Sequence, residues 1–192
     1  MKKRVGLLGG TFDPPHIGHL KISTKAIKKL RLFEVWWIVA LQNPLKFRQN
    51  KENFTERFKK SEIYTKEYSN IKISCLEKKY NINFSIDTIH SLKKNFKDID
   101  FIWLMGADNF VKLHYWKKWH NFMKEVPVAV FNRPGYSHQA LTSMAAYYYR
   151  KYRYINYKKP MMDLSSPKWV FIWDVNEKVS SSYIRNIGKD KS

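Results

Sequence analysis

The run Val35-Trp36-Trp37-Ile38-Val39-Ala40 is apolar at every position. A strand without alternation has no face left for water, so both of its faces must be covered. That requirement points to a parallel sheet with helices on either side. Further runs of strand length fall at Lys3–Leu8, Ile71–Cys75, Phe101–Gly106, Pro127–Phe131 and Trp169–Trp173, and the first run begins at Glu34. Stretches of helical period separate them. Gly18–Leu32 brings Leu20, Ile27 and Leu30 close to one face, and Phe54–Tyr68 predicts a second helix. Ser85 reads as the cap of a third, with Ile86, Ile89, Leu92 and Phe96 along one side. Ser137–Tyr154 predicts a helix crowded with aromatic and basic residues, and Ser181–Ile187 a last short one; Gln42–Asn53 is a polar loop.

Strands alternating with helices make an α/β domain with a parallel central sheet. At 192 residues, without a repeat or a flexible linker, the chain is expected to form a single domain over 1–192. Ligands of such sheets sit beyond the carboxyl ends of the strands. That rule gathers Gly9–His19, Gln42–Lys46, Gly106–Asp108 and Asn132–Gly135 around one crevice.

Composition narrows the function classes. One cysteine, Cys75, excludes a disulfide within the chain and a cysteine-built zinc site. The basic start Met1–Arg4 leads into an apolar stretch too short for a signal peptide, and no run reaches the roughly 18 residues that a membrane span needs. A soluble, cytoplasmic protein with no membrane partner is expected. The net charge is +20, with the lysines scattered rather than grouped. Lys, Asn, Ile and Tyr are all plentiful, so the charge reads as a compositional bias and a solvated basic surface rather than a dedicated nucleic-acid site. It would favour an anionic substrate in either case.

The motif with the most chemistry follows the first strand: Gly9-Gly10-Thr11-Phe12-Asp13-Pro14-Pro15-His16-Ile17-Gly18-His19. Glycines at a strand end let backbone amides approach phosphate oxygens, and the next helix offers its positive end. Two histidines at that helix start can stabilise charge growing on a phosphoryl group in transfer. Near the other end lies Val179-Ser180-Ser181-Ser182-Tyr183-Ile184-Arg185, hydroxyls beside a helix start followed by a cation. No carboxylate–histidine spacing supports a protein-held metal, so His114 and His120 read as structural.

The string His16-Ile17-Gly18-His19 resembles the signature of the HIGH-motif nucleotidyltransferases. Val179–Arg185 is similar to their second signature, I-S-S-T-x-I-R, with Val179 and Ser182 as conservative departures. Within that superfamily Phe84–Ile89, Met105–Phe110, His114–Trp116 and Asn132–Tyr136 resemble the bacterial nicotinate-nucleotide adenylyltransferases, in order, over about residues 3–188. The resemblance implies a Rossmann-like fold and transfer of AMP from ATP to nicotinate mononucleotide. By that resemblance Gly9, Gly10, Thr11, Phe12, His16, Gly18, His19, Gly106, Asp108, Ser180, Ser181, Ser182 and Arg185 bind ATP. Lys46, Thr88, Asp108, Trp116 and Arg133 serve the mononucleotide. His16, His19, Lys46 and Arg185 are the expected catalytic group. Many relatives have a histidine just before the lysine at Lys46, where this chain has Leu45. Mg²⁺ is expected to be carried with ATP, and a homo-oligomer is compatible with the sequence. Another small-molecule adenylyltransferase of the superfamily, or a basic nucleic-acid-binding protein on the same fold, are the alternatives at this point. Gln139–Lys159 match no motif.

Overall fold

The computed structural model of the chain describes residues 2–41, 53–155 and 165–173, together with Val175, Glu177, Ser181 and Ile184. The first half runs β1 (Lys3–Gly10), α1 (Ile17–Leu30), β2 (Glu34–Val39), α2 (Phe54–Thr65), β3 (Ile71–Ser74), α3 (Leu76–Lys79) and α4 (Ser85–Asn95). The second runs β4 (Ile99–Gly106), α5 (Ala107–Val111), α6 (Trp119–Glu125), β5 (Val128–Phe131), α7 (Ser137–Leu141), α8 (Met144–Tyr148), β6 (Arg153–Tyr154) and β7 (Trp169–Ile172). Among the described residues the strands form one parallel sheet in the order β3-β2-β1-β4-β5-β7-β6. The chain builds outward from β1 to β3, then returns to lay β4 on the other side of β1. The carboxyl ends of β1 and β4 therefore flank the point where strand order reverses, which is where such sheets open a crevice.

Both faces of the sheet are covered, as the unbroken apolar run of β2 requires. Val5, Leu7, Trp103, Val130 and Phe171 pack against Ile86, Ile89 and Leu92 of α4 and Phe122 of α6. Leu8, Trp37, Leu104 and Phe131 pack on the other side against Leu20, Ala26 and Leu30 of α1. Neighbours in one strand thus feed opposite cores. Each fully buried large side chain contributes on the order of 1.5–3 kcal/mol. Among the described residues no helix is long and apolar enough to cross a membrane.

Several sequence expectations are revised. Ser137–Tyr154 is not one helix but α7, α8, a 3₁₀ turn and the edge strand β6. Ser143 causes the break: its hydroxyl accepts the Ala146 N–H and caps a new helix. Ser85 begins α4 rather than capping it, since Phe84 holds the cap position without a side-chain hydrogen bond. The first helix stops at Leu30 because Arg31 turns left-handed, at φ 50°. The short helices α3 and α6 carry too little periodicity to be read beforehand. Of the helix expected over Ser181–Ile187 only Ser181 and Ile184 are described, both helical. The loop expected over Gln42–Asn53 lies outside the described residues except for Asn53, which caps α2.

Candidate active site

Both glycines lie inside β1 rather than in the turn after it. A Cβ on Gly9 would stand 2.7 Å from the Trp103 ring, so close packing is what requires a glycine there. The turn proper is Thr11–His16, and Phe12 within it has φ 50°. For a bulky residue that conformation costs on the order of 1–3 kcal/mol and needs support. Packing supplies it: the Phe12 ring stacks on Trp37 at 4.7 Å and lies 4.7 Å from the His19 ring. The Trp37 indole N–H donates to Ser23 Oγ at 2.8 Å, and that hydroxyl donates to the His19 carbonyl at 2.9 Å. His19 therefore stands on a buried, hydrogen-bonded base.

The two histidines cap α1 reciprocally. The Gly18 N–H donates to His16 Nδ1 at 3.1 Å, and the His16 N–H donates to His19 Nδ1 at 3.2 Å. An imidazole that accepts at Nδ1 carries its proton, when neutral, on Nε2. Burial, with Arg133 adding to it, pushes His16 down to about 4, while Asp108 and Glu177 pull the other way. Burial, then His16 and Arg133, hold His19 well below the usual histidine range. Both rings are thus neutral at pH 7, each with an Nε2–H donor left over. The rings lie close, centroids 3.7 Å apart and planes tilted by 32°, at the positive end of a 14-residue helix. Two fixed donors beside a helix start suit a phosphate.

A cavity of about 500 Å³ opens over this helix start. Gly9, Gly10, Thr11, Phe12, His16, Gly18 and His19 form its floor. Gly106, Asp108 and Arg133 form the wall beyond β4 and β5, and Ser181 closes another side. Asp108 and Arg133 make an ion pair, and a Cβ on Gly106 would fall 2.5 Å from Asp108 Oδ1. Gly106 is thus the room that lets the carboxylate fold back over the strand end. Ser181 Oγ donates to the Pro14 carbonyl at 2.9 Å, which ties the end of the chain to the turn before α1. Glu177, also on the wall, pairs with Lys21.

A second cavity, of about 390 Å³, adjoins the first and shares Gly9, Gly10, Thr11, Asn109 and Tyr115 with it. Trp116 lines it, half-buried and edge-on to Trp103 at 6.1 Å. The start of α4 opens onto it through Phe84, Ser85 and Ile86. The Asp87 and Thr88 N–H groups already donate to the Phe84 carbonyl, whereas the first amides of a helix have no partner within it. Thr88 does not reach this cavity. It is fully buried, and its hydroxyl donates to Glu77 Oε1 and the Phe84 carbonyl, each at 3.4 Å. Glu77 does line the cavity and accepts the Leu41 N–H at 3.2 Å. Burial raises its carboxyl to about 7, against the Leu41 and Thr88 hydrogen bonds and the charge of Arg57. Arg57, itself buried, donates to the carbonyls of Thr11 at 2.6 Å and Leu41 at 3.0 Å, and so fixes the ends of β1 and β2 together.

Of the residues expected at the site, the larger cavity brings together the Gly9–His19 group, Gly106, Asp108, Arg133 and Ser181, and the smaller one adds Trp116. Lys46, Ser180, Ser182 and Arg185 lie outside the described residues. Sequence reasoning missed Ser85 as a wall residue by reading it as a cap. It missed Asn109 and Tyr115, although both fall within quoted motifs. Glu77 carries no signal in the sequence, being one acid amid Leu76, Lys78 and Lys79. Among the described residues no cluster of three His, Cys, Asp or Glu could hold a metal ion. His114 lies on Tyr115, and His120 on Trp119.

The sequence profile of the cytidylyltransferase-like family matches residues 7–187. A protein of Ruegeria sp. (strain TM1040), named a probable nicotinate-nucleotide adenylyltransferase, is 39% identical over 185 residues, covering 96% of this chain and 97% of that protein. One of Bradyrhizobium sp. (strain ORS 278), under the same name, is 38% identical over 184 residues, 95% of each chain. Among solved structures, a Plasmodium falciparum nicotinic acid mononucleotide adenylyltransferase complexed with NaAD superposes with a TM-score of 0.69 at 18% identity, covering 96% of this chain and 83% of that one. At that identity the likeness speaks for the fold alone.

Proposed function

The chain belongs to the cytidylyltransferase-like family and, within it, to the nicotinate-nucleotide adenylyltransferases, and we propose that it transfers AMP from ATP to nicotinate mononucleotide. The observation that carries this reading is the pair of joined cavities. One has two neutral imidazole donors at a helix start; the other has an aromatic wall and a second helix start. A triphosphate suits the first, and a flat ring with a carboxylate suits the second.

In the proposed reaction a phosphate oxygen of the mononucleotide forms a bond to the α-phosphorus of ATP. The bond from that phosphorus to the bridging oxygen breaks, and pyrophosphate leaves. The nucleophile is already ionised at neutral pH, because a phosphate monoester's second pKa is about 6, so no strong base is needed. Positioning and charge stabilisation remain. His16 and His19 donate from Nε2 as charge builds on the α-phosphate. Asp108, held by Arg133, receives ribose hydroxyls. Trp116 takes the pyridine ring, with its carboxylate toward the first amides of α4 at Ser85 and Ile86. Thr88 supports that wall through Glu77 rather than touching the ligand. Ser180, Ser181, Ser182 and Arg185 hold the outer phosphates, Lys46 contacts phosphate on the mononucleotide side, and Mg²⁺ comes with ATP as part of the substrate. The work takes place in the cytoplasm, which suits an exposed free thiol at Cys75.

Purified protein incubated with ATP, Mg²⁺ and either nicotinate or nicotinamide mononucleotide tests this. Pyrophosphate release with the acid, and little with the amide, is expected. Release with neither would move the substrate outside the pyridine nucleotides.

A further inference from the structure

The pyridine-side cavity is lined by two charged side chains among the described residues, Glu77 and Lys117, and they differ in kind. Glu77 is buried and engaged with Leu41 and Thr88. Lys117 is exposed at the cavity wall, and its ammonium lies 4.0 Å from the centre of the Phe84 ring. A cation over an aromatic face is held loosely in place while its charge stays available. Lys117 pairs with no carboxylate among the described residues. Phe84 is also the cap residue of α4, so the ammonium lies beside the helix start. Lys117 follows Trp116 directly, so the ring wall and the cation come from adjacent positions.

We propose that Lys117 is a specificity-determining residue, its ammonium favouring a pyridine carboxylate over the corresponding carboxamide. This rests on the proposed function and goes beyond it by assigning the choice of acid to a side chain. A carboxylate gains the full Coulomb attraction and a charge-assisted hydrogen bond, whereas a neutral amide gains little of either. Discrimination of this kind follows from a difference between two affinities rather than from total binding.

The test measures kcat and KM for nicotinate and nicotinamide mononucleotide in the wild type, Lys117→Met and Lys117→Arg. An exposed charge of this kind is worth up to roughly 1 kcal/mol, or about fivefold. In Lys117→Met the KM for the acid should rise about fivefold with kcat little changed. The amide constants should stay within twofold, and Lys117→Arg should keep most of the wild-type preference. An unchanged acid-to-amide ratio in Lys117→Met, in an enzyme active on the acid, overturns this inference alone. A wild type inert on both nucleotides overturns the proposed function, and this inference with it.

Discussion

At the scale of single residues, the two histidines and Glu77 are the groups whose protonation the fold has most clearly set. His16 and His19 are held neutral, with their tautomers fixed by the capping hydrogen bonds. As neutral rings they offer oriented Nε2–H donors rather than standing positive charges. His19→Ala should therefore lower kcat by about 10²–10³, the usual cost of losing one transition-state donor, while the lost cap costs on the order of 1 kcal/mol and leaves the chain folded. Steady-state rates beside a circular dichroism melt check it; a folded variant with full kcat would remove the donor role. Glu77 titrates the other way. Its folded carboxyl is raised to about 7, above an unfolded value near 4.3. The folded state thus binds the proton more tightly. Stability from this group is fully present below the unfolded value and falls as pH rises to about 7. At ~1.4 kcal/mol for each pH unit, the loss reaches roughly 3 kcal/mol. Glu77→Gln should remove that slope, so its stability relative to wild type should improve between pH 4.5 and 7 in urea titrations. A constant difference across that range would mean the carboxyl titrates normally.

At the scale of elements, the strands were legible and the short helices were not. The β2 run announced a doubly covered strand because Val35, Trp37, Ile38 and Val39 are all fully buried. The glycine–histidine string pointed to a helix start after the first strand, and α1 begins there with His16 as its cap. Its glycines were misjudged in part, since Gly9 answers to the bulk of Trp103, a neighbour distant in sequence. Ser137–Tyr154 failed as a helix because Ser143 caps a second start within it, a choice that local composition did not reveal. Thr88 was expected at the ligand and lies behind the wall, because helical phase turned it toward Glu77. Arg57 gave no signal either, yet from α2 it bonds the carbonyls of Thr11 and Leu41. Arg57→Met would leave those carbonyls and the neighbouring Glu77 without their cation. Breaking a buried charged contact costs about 3–5 kcal/mol. Guanidinium unfolding should show a loss of that order; a loss under 1 kcal/mol would mean the strand ends are held by other contacts.

At the scale of the whole molecule, topology explains why one crevice holds two joined cavities. Strand order reverses between β1 and β4, so the loops leaving them part and the two cavities join over Gly9–Thr11. The net charge of +20 lends a general attraction for anions. The superfamily could be read from two motifs at opposite ends of the chain and the family from the motifs between them, while the charge environment of the smaller cavity appeared only once α3, α4 and the Trp116 segment were brought together. The most direct test of the central claim follows the phosphorus atoms. With ATP labelled at the α-phosphate, nicotinate mononucleotide and Mg²⁺, the label should appear in nicotinate adenine dinucleotide, and γ-label should leave in pyrophosphate. Transfer of γ-label to the mononucleotide, or α-label remaining in AMP or ADP, would contradict adenylyl transfer.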